Sequence, residues 1–266
     1  MPLLDIIIMA IVQGITEFLP ISSDGHLVLT NALLEAFGRP ETADLLEVEL
    51  MLHLGTLAAV LLFYRREIVR VLTTGRRAIV PIIWGTIPAG IIGVGIKKGL
   101  PDNLTNSVLG NPLLAGIGFL ITAAALYWGT RHMTGTRRYD ELRPGEALFI
   151  GLMQAFAILP GVSRSGLTIG SGLARGLDRE SAAAYSFMLA IPAIGGAGLL
   201  QILDMVDAGK TSTPIPTLAI GFAVSMVVGL AALALLIRWL KRGSLMMFVY
   251  YLIPLGIAVT AWQLLK

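Results

Sequence analysis

The sequence predicts an all-α integral membrane protein, built from six transmembrane helices and two re-entrant helical hairpins arranged as two inverted-topology repeats. Composition is the first of three observations behind this. Of 266 residues, 55% are hydrophobic and 14% charged, with a mean hydropathy of +0.79, where soluble domains run at roughly 45–50% apolar and about 25% charged. The second is a set of six apolar stretches long enough to span a bilayer, which takes about 20 residues. The third is a pair of shorter apolar stretches, each broken by Pro, Ser and Gly.

Composition also excludes function classes. The pI near 9.3 suggests nucleic acid, but 20 Lys+Arg against 17 Asp+Glu leave a net charge of only +3. The basic residues sit in short clusters between apolar runs, the pattern of membrane loops rather than of a nucleic-acid face. No cysteine is present, which removes disulfides, thiolate metal sites and Cys nucleophiles. Met1–Pro20 has no basic residue ahead of its apolar run and carries Asp5, Gln13 and Glu17, so it reads as mature protein rather than a cleaved leader. No hydrophilic domain interrupts residues 1–266, which read as a single membrane domain.

In chain order, the expected spans are Leu45–Tyr64, Ala78–Ile96, Val108–Trp128, Ser181–Leu200, Pro214–Ile237 and Ser244–Leu265. The segment Leu3–Leu19 runs into Pro20-Ile-Ser-Ser-Asp-Gly and a second short run, Leu27–Phe37; Ala147–Leu159 runs into Pro160-Gly-Val-Ser-Arg-Ser-Gly. Half-helices joined by a polar turn have this form, and a membrane tolerates them where they line a protein cavity. Arginine clusters follow the first span (Arg65, Arg66, Arg70, Arg76, Arg77), the third (Arg131, Arg137, Arg138, Arg143) and, with Lys241, the fifth (Arg238, Arg242). If basic loops are cytoplasmic, both termini lie outside. Parity then requires 146–180 to enter and leave on the inner side and 3–37 on the outer side.

The two broken segments also match one another. At an offset of 141, Gln13, Ser22 and Gly25 meet Gln154, Ser163 and Gly166. Halves of about 1–140 and 141–266 each hold one hairpin and three spans. An odd span count makes them inverted, and inverted repeats place a site where the paired breaks meet near the midplane.

Ionisable groups inside membrane segments are costly and mark function. The first break offers Gln13, Glu17, Ser22, Ser23, Asp24 and His26; the second offers Ser163, Arg164, Ser165, Gly166 and Thr168. Together they make an acid, an imidazole, a guanidinium and several hydroxyls, a set suited to a phosphate ester or anhydride. Arg164 grips phosphate oxygens, and a helix starting near Ser165 points its N–H groups at the anion. Gln13 and Glu17, four apart on one helix face, present oxygen ligands to Mg²⁺ or Ca²⁺, or Glu17 acts as a base. His26 fits a proton carrier. Ser23 is a candidate nucleophile activated by His26 or Glu17, with an activated water as the alternative. His53, four after Glu49, reads as a supporting residue, and His132 as a solvated loop residue. Gly90, Gly93, Gly95 and Gly195, Gly196, Gly198 read as helix-packing positions, through which a homodimer is conceivable.

The run from Gln13 to His26 (Gln-Gly-Ile-Thr-Glu-Phe-Leu-Pro-Ile-Ser-Ser-Asp-Gly-His) and Pro160-Gly-Val-Ser-Arg-Ser-Gly-Leu-Thr168 resemble the two signature motifs of the bacterial undecaprenyl-diphosphatase family, also called bacitracin-resistance proteins. The resemblance covers nearly the whole chain, including Glu47–Thr56 and Ser186–Pro192. It implies hydrolysis of undecaprenyl diphosphate to the monophosphate and inorganic phosphate, recycling the lipid carrier of peptidoglycan synthesis at the bacterial inner membrane with a divalent cation. It carries Gln13, Glu17, Ser23, His26, Arg164 and the Ser163, Ser165, Thr168 set over as active-site residues. The chain departs from the pattern at Gln13, where many members have Glu, and at Asp24, where Thr is common. The motifs of the other membrane lipid-phosphatase superfamily have no counterpart around His53 or His132. The alternative function is a polyprenyl-phosphate flippase, since broken inverted repeats are a transporter pattern.

Overall fold

A computed structural model describes residues 2–37, 45–131, 133–208, 213–243 and 245–265. His132, Ser244 and Lys266, and so the solvated-loop reading of His132, lie outside the described residues. Among the described residues, twelve α-helices follow in order: α1 Leu3–Thr16, α2 Ser23–Ala36, α3 Leu45–Phe63, α4 Arg65–Thr73, α5 Ile79–Gly99, α6 Asp102–Leu109, α7 Pro112–Thr130, α8 Pro144–Phe156, α9 Arg164–Ala174, α10 Arg179–Ala208, α11 Ile215–Arg242 and α12 Met246–Leu264. Among the described residues there is no strand, only an isolated bridge between Arg137 and Leu177.

Six of these helices, α3, α5, α7, α10, α11 and α12, are long and apolar enough to cross a membrane. Their outward faces are apolar: α5 exposes Val80, Ile83, Ile87, Ile91 and Val94, and α12 exposes Ile253 and Ile257. In water such continuous apolar surface would drive association; in lipid it is at home.

Boundaries moved where caps decide them. The third span starts at Pro112 rather than Val108, because Asn111 accepts from the backbone N–H of Leu113 at 2.9 Å and Pro112 takes the first helical position, where its missing N–H costs nothing. Val108 falls instead in α6. The basic stretch after the first span is itself helical, α4, with Arg65 and Arg66 exposed beside Val69 and Leu72. Its Arg70 holds Glu67 in a two-bond pair (2.8 and 2.6 Å), and this hydrogen bonding keeps the Glu67 carboxyl below the ordinary carboxylate range. Tyr139 donates to the same carboxylate.

The packing exchanges partners between the two halves. Helix α1 packs on α11 and α8 on α5; α3 packs on α11 and α10 on α5; α3 meets α10, and α7 meets α12. If α1, α2, α3, α5, α7 correspond in order to α8, α9, α10, α11, α12, each of these contacts maps onto another or onto itself, an arrangement compatible with an inverted repeat. The exchange is incomplete, since α7 carries both α2 and α9, and α9 packs on α10 without a matching packing of α2 on α3 among the described residues. Close helix approach uses glycines other than those expected. A Cβ on Gly151 would stand 2.5 Å from the Gly85 carbonyl oxygen, and one on Gly129 2.7 Å from the Gly170 Cα. Gly90, Gly93, Gly95 and Gly196 face open space within the chain, and Gly195 and Gly198 have only ordinary or slightly tight side-chain neighbours. The packing expected is therefore not made within the chain at Gly90, Gly93, Gly95 and Gly196, whereas Gly198 packs on Leu54 of α3 and Gly195 on Leu57.

Candidate active site

Helix α1 ends at Thr16, and Glu17 caps it with helical backbone angles and an N–H bonded to the Gln13 carbonyl. Glu17 therefore stays on the Gln13 face of the helix. Pro20 has no N–H to continue a helix, and the chain turns through Ser22 at φ 71°, a left-handed conformation rare outside glycine. Ser22 then caps α2, its Oγ accepting from Gly25 N–H at 3.3 Å. The second break repeats this plan. After α8 ends, Gly161 takes φ 80°, and Ser163 caps α9 by accepting from Gly166 N–H at 3.0 Å.

The two breaks touch. A Cβ on Gly25 would lie 2.7 Å from the Gly161 Cα, so only glycine allows this approach. Ser165 Oγ donates to the Leu19 carbonyl at 3.3 Å. Thr122 of α7 pins the second break from behind, donating to the Gly161 carbonyl and accepting from the Ser163 N–H, both at 2.8 Å.

Between the breaks, Glu17 is the hub. Its Oε1 accepts from Arg164 Nη2 at 2.7 Å; its Oε2 accepts from Ser23 Oγ at 2.6 Å and from Gln13 Nε2 at 3.1 Å. Glu17 is 7% exposed. An ion pair this buried is held by hydrogen bonds on both oxygens, since desolvation of an unpartnered carboxylate would cost several kcal/mol. Arg164 also donates to the Ser186 carbonyl at 3.4 Å. Ser23 and Arg164 are half-buried and Asp24 is exposed, so the hub opens on that side.

Other expected residues are placed differently. His26, in the first turn of α2, touches neither Ser23 nor Glu17 through a hydrogen bond; its Nδ1 lies 2.7 Å from the Ser22 carbonyl and its Nε2 2.8 Å from Tyr251 Oη. Its ring packs edge-on to Phe119. The hydroxyls of Ser22 and Ser163 are occupied as helix caps, with Ser163 also 3.2 Å from Ser165. Thr168 is fully buried, 2.7 Å from Ser186 Oγ.

Four residues outside the expected set join the site. His53 places Nε2 3.5 Å from Asp24 and 3.9 Å from Glu17, while its Nδ1 faces the Glu49 carbonyl at 2.9 Å. Its spacing from Glu49 and its place in the Glu47–Thr56 stretch of the family resemblance were the available signals. Ser186 was signalled only by the Ser186–Pro192 stretch of the resemblance, and Thr122 and Tyr251 carry no local signal, because each reaches the site from a distant helix.

A divalent cation finds limited protein ligation. Among the described residues, no group of three or more His, Asp or Glu side chains is arranged to hold a metal. Gln13 does present a fitting atom: its Nε2 is committed to Glu17, so its Oε1 faces away, buried and without a hydrogen-bond partner. A hard amide oxygen beside a carboxylate is suitable chemistry for Mg²⁺ or Ca²⁺.

Comparison with known proteins agrees over nearly the full length. The family described as "Bacitracin resistance protein BacA" matches residues 6–258. An undecaprenyl-diphosphatase of Rhodopirellula baltica is 43% identical over 263 residues, covering 98% of both chains. One of Desulforudis audaxviator is 41% identical, covering 98% of this chain and 97% of its own. One of Methanosphaera stadtmanae is 40% identical, covering 96% of each. With a helical fold carrying six apolar spans and a family match running from one end to the other, this chain belongs to the bacitracin resistance protein BacA family.

Proposed function

We propose that this protein hydrolyses undecaprenyl diphosphate to undecaprenyl phosphate and inorganic phosphate. The observation that carries the reading is the Glu17 carboxylate held between Arg164 of one break and Ser23 of the other. Arg164 is half-buried at the open side of the hub, so an incoming phosphate can take the guanidinium from Glu17. Glu17 then keeps Ser23 at 2.6 Å, within the distance for a general base to accept its proton. In the serine route, Ser23 Oγ bonds to the terminal phosphorus, the bridging P–O bond breaks, and undecaprenyl phosphate leaves. Water then releases phosphate from Ser23 and restores the hydroxyl. In the water route, Glu17 accepts the proton of a water that attacks the same phosphorus directly, the bridging P–O bond breaks, and undecaprenyl phosphate and inorganic phosphate leave. Arg164 stabilises the charge that grows on the phosphoryl oxygens, and His26 moves a proton at Nε2. Gln13, Ser22, Ser163, Ser165, Gly166 and Thr168 shape the pocket wall around them. A divalent cation at Gln13 and Glu17 would neutralise diphosphate charge and polarise the P–O bond. A transport-only reading leaves the Glu17–Ser23 contact without a role.

The setting proposed is the bacterial inner membrane, in two inverted halves of about 1–140 and 141–266, with both termini outside and a homodimer as the assembly. The exchanged helix packing supports the repeat. Single cysteines at Thr74 and Gly135 should label from the cytoplasmic side only; labelling at Thr74 from outside reverses the orientation.

The deciding measurement is phosphate release from undecaprenyl or farnesyl diphosphate by purified protein, with Mg²⁺, with Ca²⁺ and with chelator. His26→Ala and Arg164→Ala run alongside. Metal-dependent release abolished by both substitutions is expected. Folded wild-type protein that binds the lipid and releases no phosphate overturns the reading in favour of the flippase.

A further inference from the structure

We infer that Tyr251 is a positioning residue for His26, holding its ring and hydrogen-bonding its Nε2 from the opposite half of the chain. The inference rests on His26 acting in the reaction proposed above. The geometry leaves little freedom. The Ser22 carbonyl oxygen can only accept, and it lies 2.7 Å from Nδ1, so Nδ1 carries the ring proton. In the neutral ring Nε2 is then an acceptor. Tyr251 Oη, 2.8 Å away, donates its proton there.

The Ile21 carbonyl also faces the ring from the same turn, and the remaining neighbours are aromatic. Phe119 meets it edge-on, with centroids 4.9 Å apart, and Tyr251 itself lies nearly parallel to it at 5.8 Å. A carbonyl on one nitrogen, a hydroxyl on the other and an aromatic edge fix tautomer, rotation and tilt together. Tyr251 is built to do this reversibly. Its side chain comes from α12, whereas His26 sits on α2, and the residue is 45% exposed. The hydroxyl therefore covers Nε2, the nitrogen through which His26 would exchange a proton with substrate. Tyr251 holds the lone pair of Nε2 directed outward in the resting protein and gives it up when substrate arrives. A purely structural tyrosine would need only its ring, so the hydroxyl carries the distinction.

The test separates hydroxyl from ring. Full-length protein with ¹⁵N-labelled histidine is compared with Tyr251→Phe in detergent by NMR. His53→Gln and His132→Gln variants assign the His26 signals, since the chain has three histidines. Wild type should show a protonated Nδ1 and an unprotonated, hydrogen-bonded Nε2. Tyr251→Phe should move the Nε2 resonance while the Ser22 carbonyl keeps Nδ1 protonated, with an unchanged melting temperature. Phosphate release should fall about tenfold in kcat with little change in KM, a modest share of the 10²–10⁴ typical of acid–base groups. Identical ¹⁵N signals in the two proteins, or a wild-type Nε2 that carries the proton, overturn the inference. So does a shifted resonance with unaltered kcat. If wild type releases no phosphate at all, the parent reading fails while the NMR comparison still decides whether Tyr251 holds Nε2.

Discussion

The two breaks share a backbone plan and differ in chemistry. Each follows a helix bearing a buried glutamine, Gln13 or Gln154, whose Oε1 has no hydrogen-bond partner. Each passes through a residue of positive φ and ends in a serine cap bonded to a glycine N–H three residues on. On this common frame the first break places a carboxylate, a hydroxyl and an imidazole, and the second a guanidinium between two serines. Neither set suffices for the proposed chemistry alone: Glu17 and Arg164 complete each other at 2.7 Å. A similar backbone frame at each break carries different side chains, and these supply the opposite charges that pull the two breaks together.

The largest effect should come from breaking that complementarity. Glu17→Gln and Arg164→Gln are each expected to lower kcat by on the order of 10²–10³, the scale of a lost charge-stabilising group. The double variant should be no slower than the worse single one, because residues acting as a unit give non-additive losses. Phosphate release by the four proteins measures this directly. Losses that multiply would mean that the breaks act separately, and the shared hub would not stand.

A smaller effect should distinguish the glycines at equivalent cap positions. A Cβ at Gly25 would meet the Gly161 backbone at 2.7 Å, which cannot yield without moving the breaks apart. At Gly166 the nearest atoms are Ser163 Cβ at 3.1 Å and the Thr122 methyl at 3.2 Å, which side-chain adjustment can absorb. Gly25→Ala should therefore lower kcat by about 10²-fold, the cost of displacing reacting groups by about 1 Å. Gly166→Ala should keep most activity. Equal losses would show that the interface between the breaks does not depend on that single approach.

These asymmetries also separate what the sequence announces from what it hides. The spans are legible because about 20 apolar residues in a row have few alternatives; α3, α5, α11 and α12 begin within two residues of their expected starts. The breaks are legible because Pro20 and the Ser-Asp-Gly and Ser-Arg-Ser-Gly turns interrupt apolar runs. The hub is partly legible, since Gln13 and Glu17 share a helix face and the notable charges stand in the breaks. Which partner each charge takes is not. Ser23 bonds Glu17 rather than His26, and His26 turns to Tyr251, which is 225 residues away. Side-chain partners across distant helices depend on packing, which carries no periodic signature. The helical form of the basic stretch at α4 was hidden for a related reason: its charges read as a loop, although Val69, Val71 and Leu72 run along it.

The smallest expected effect concerns how the second hairpin is anchored. Arg137 grips Glu146, in the first turn of α8, through bonds of 2.9 and 3.0 Å, and also donates to the Arg175 carbonyl at the end of α9 at 3.0 Å. One side chain thus ties both legs of the hairpin, outside the six spans. The Arg137 guanidinium holds the Glu146 carboxyl down to about 2, with burial opposing and the Arg143 N–H assisting. Because the folded value lies below the ordinary 4.5, the stabilisation is complete above about pH 4.5 and is lost as pH falls toward 2. The pair is partly solvated, so the loss should be on the order of 1 kcal/mol rather than the full shift. Melting temperature of the detergent-solubilised protein between pH 6 and 3 measures it, with Arg137→Met as the comparison. Wild type should start higher and fall more steeply below pH 4.5, so that the curves converge in acid. Glu67, also held low by Arg70, titrates in both proteins and cancels. Parallel curves would mean that the second hairpin is held by its contact with the first break, and the Arg137 clamp would be dispensable.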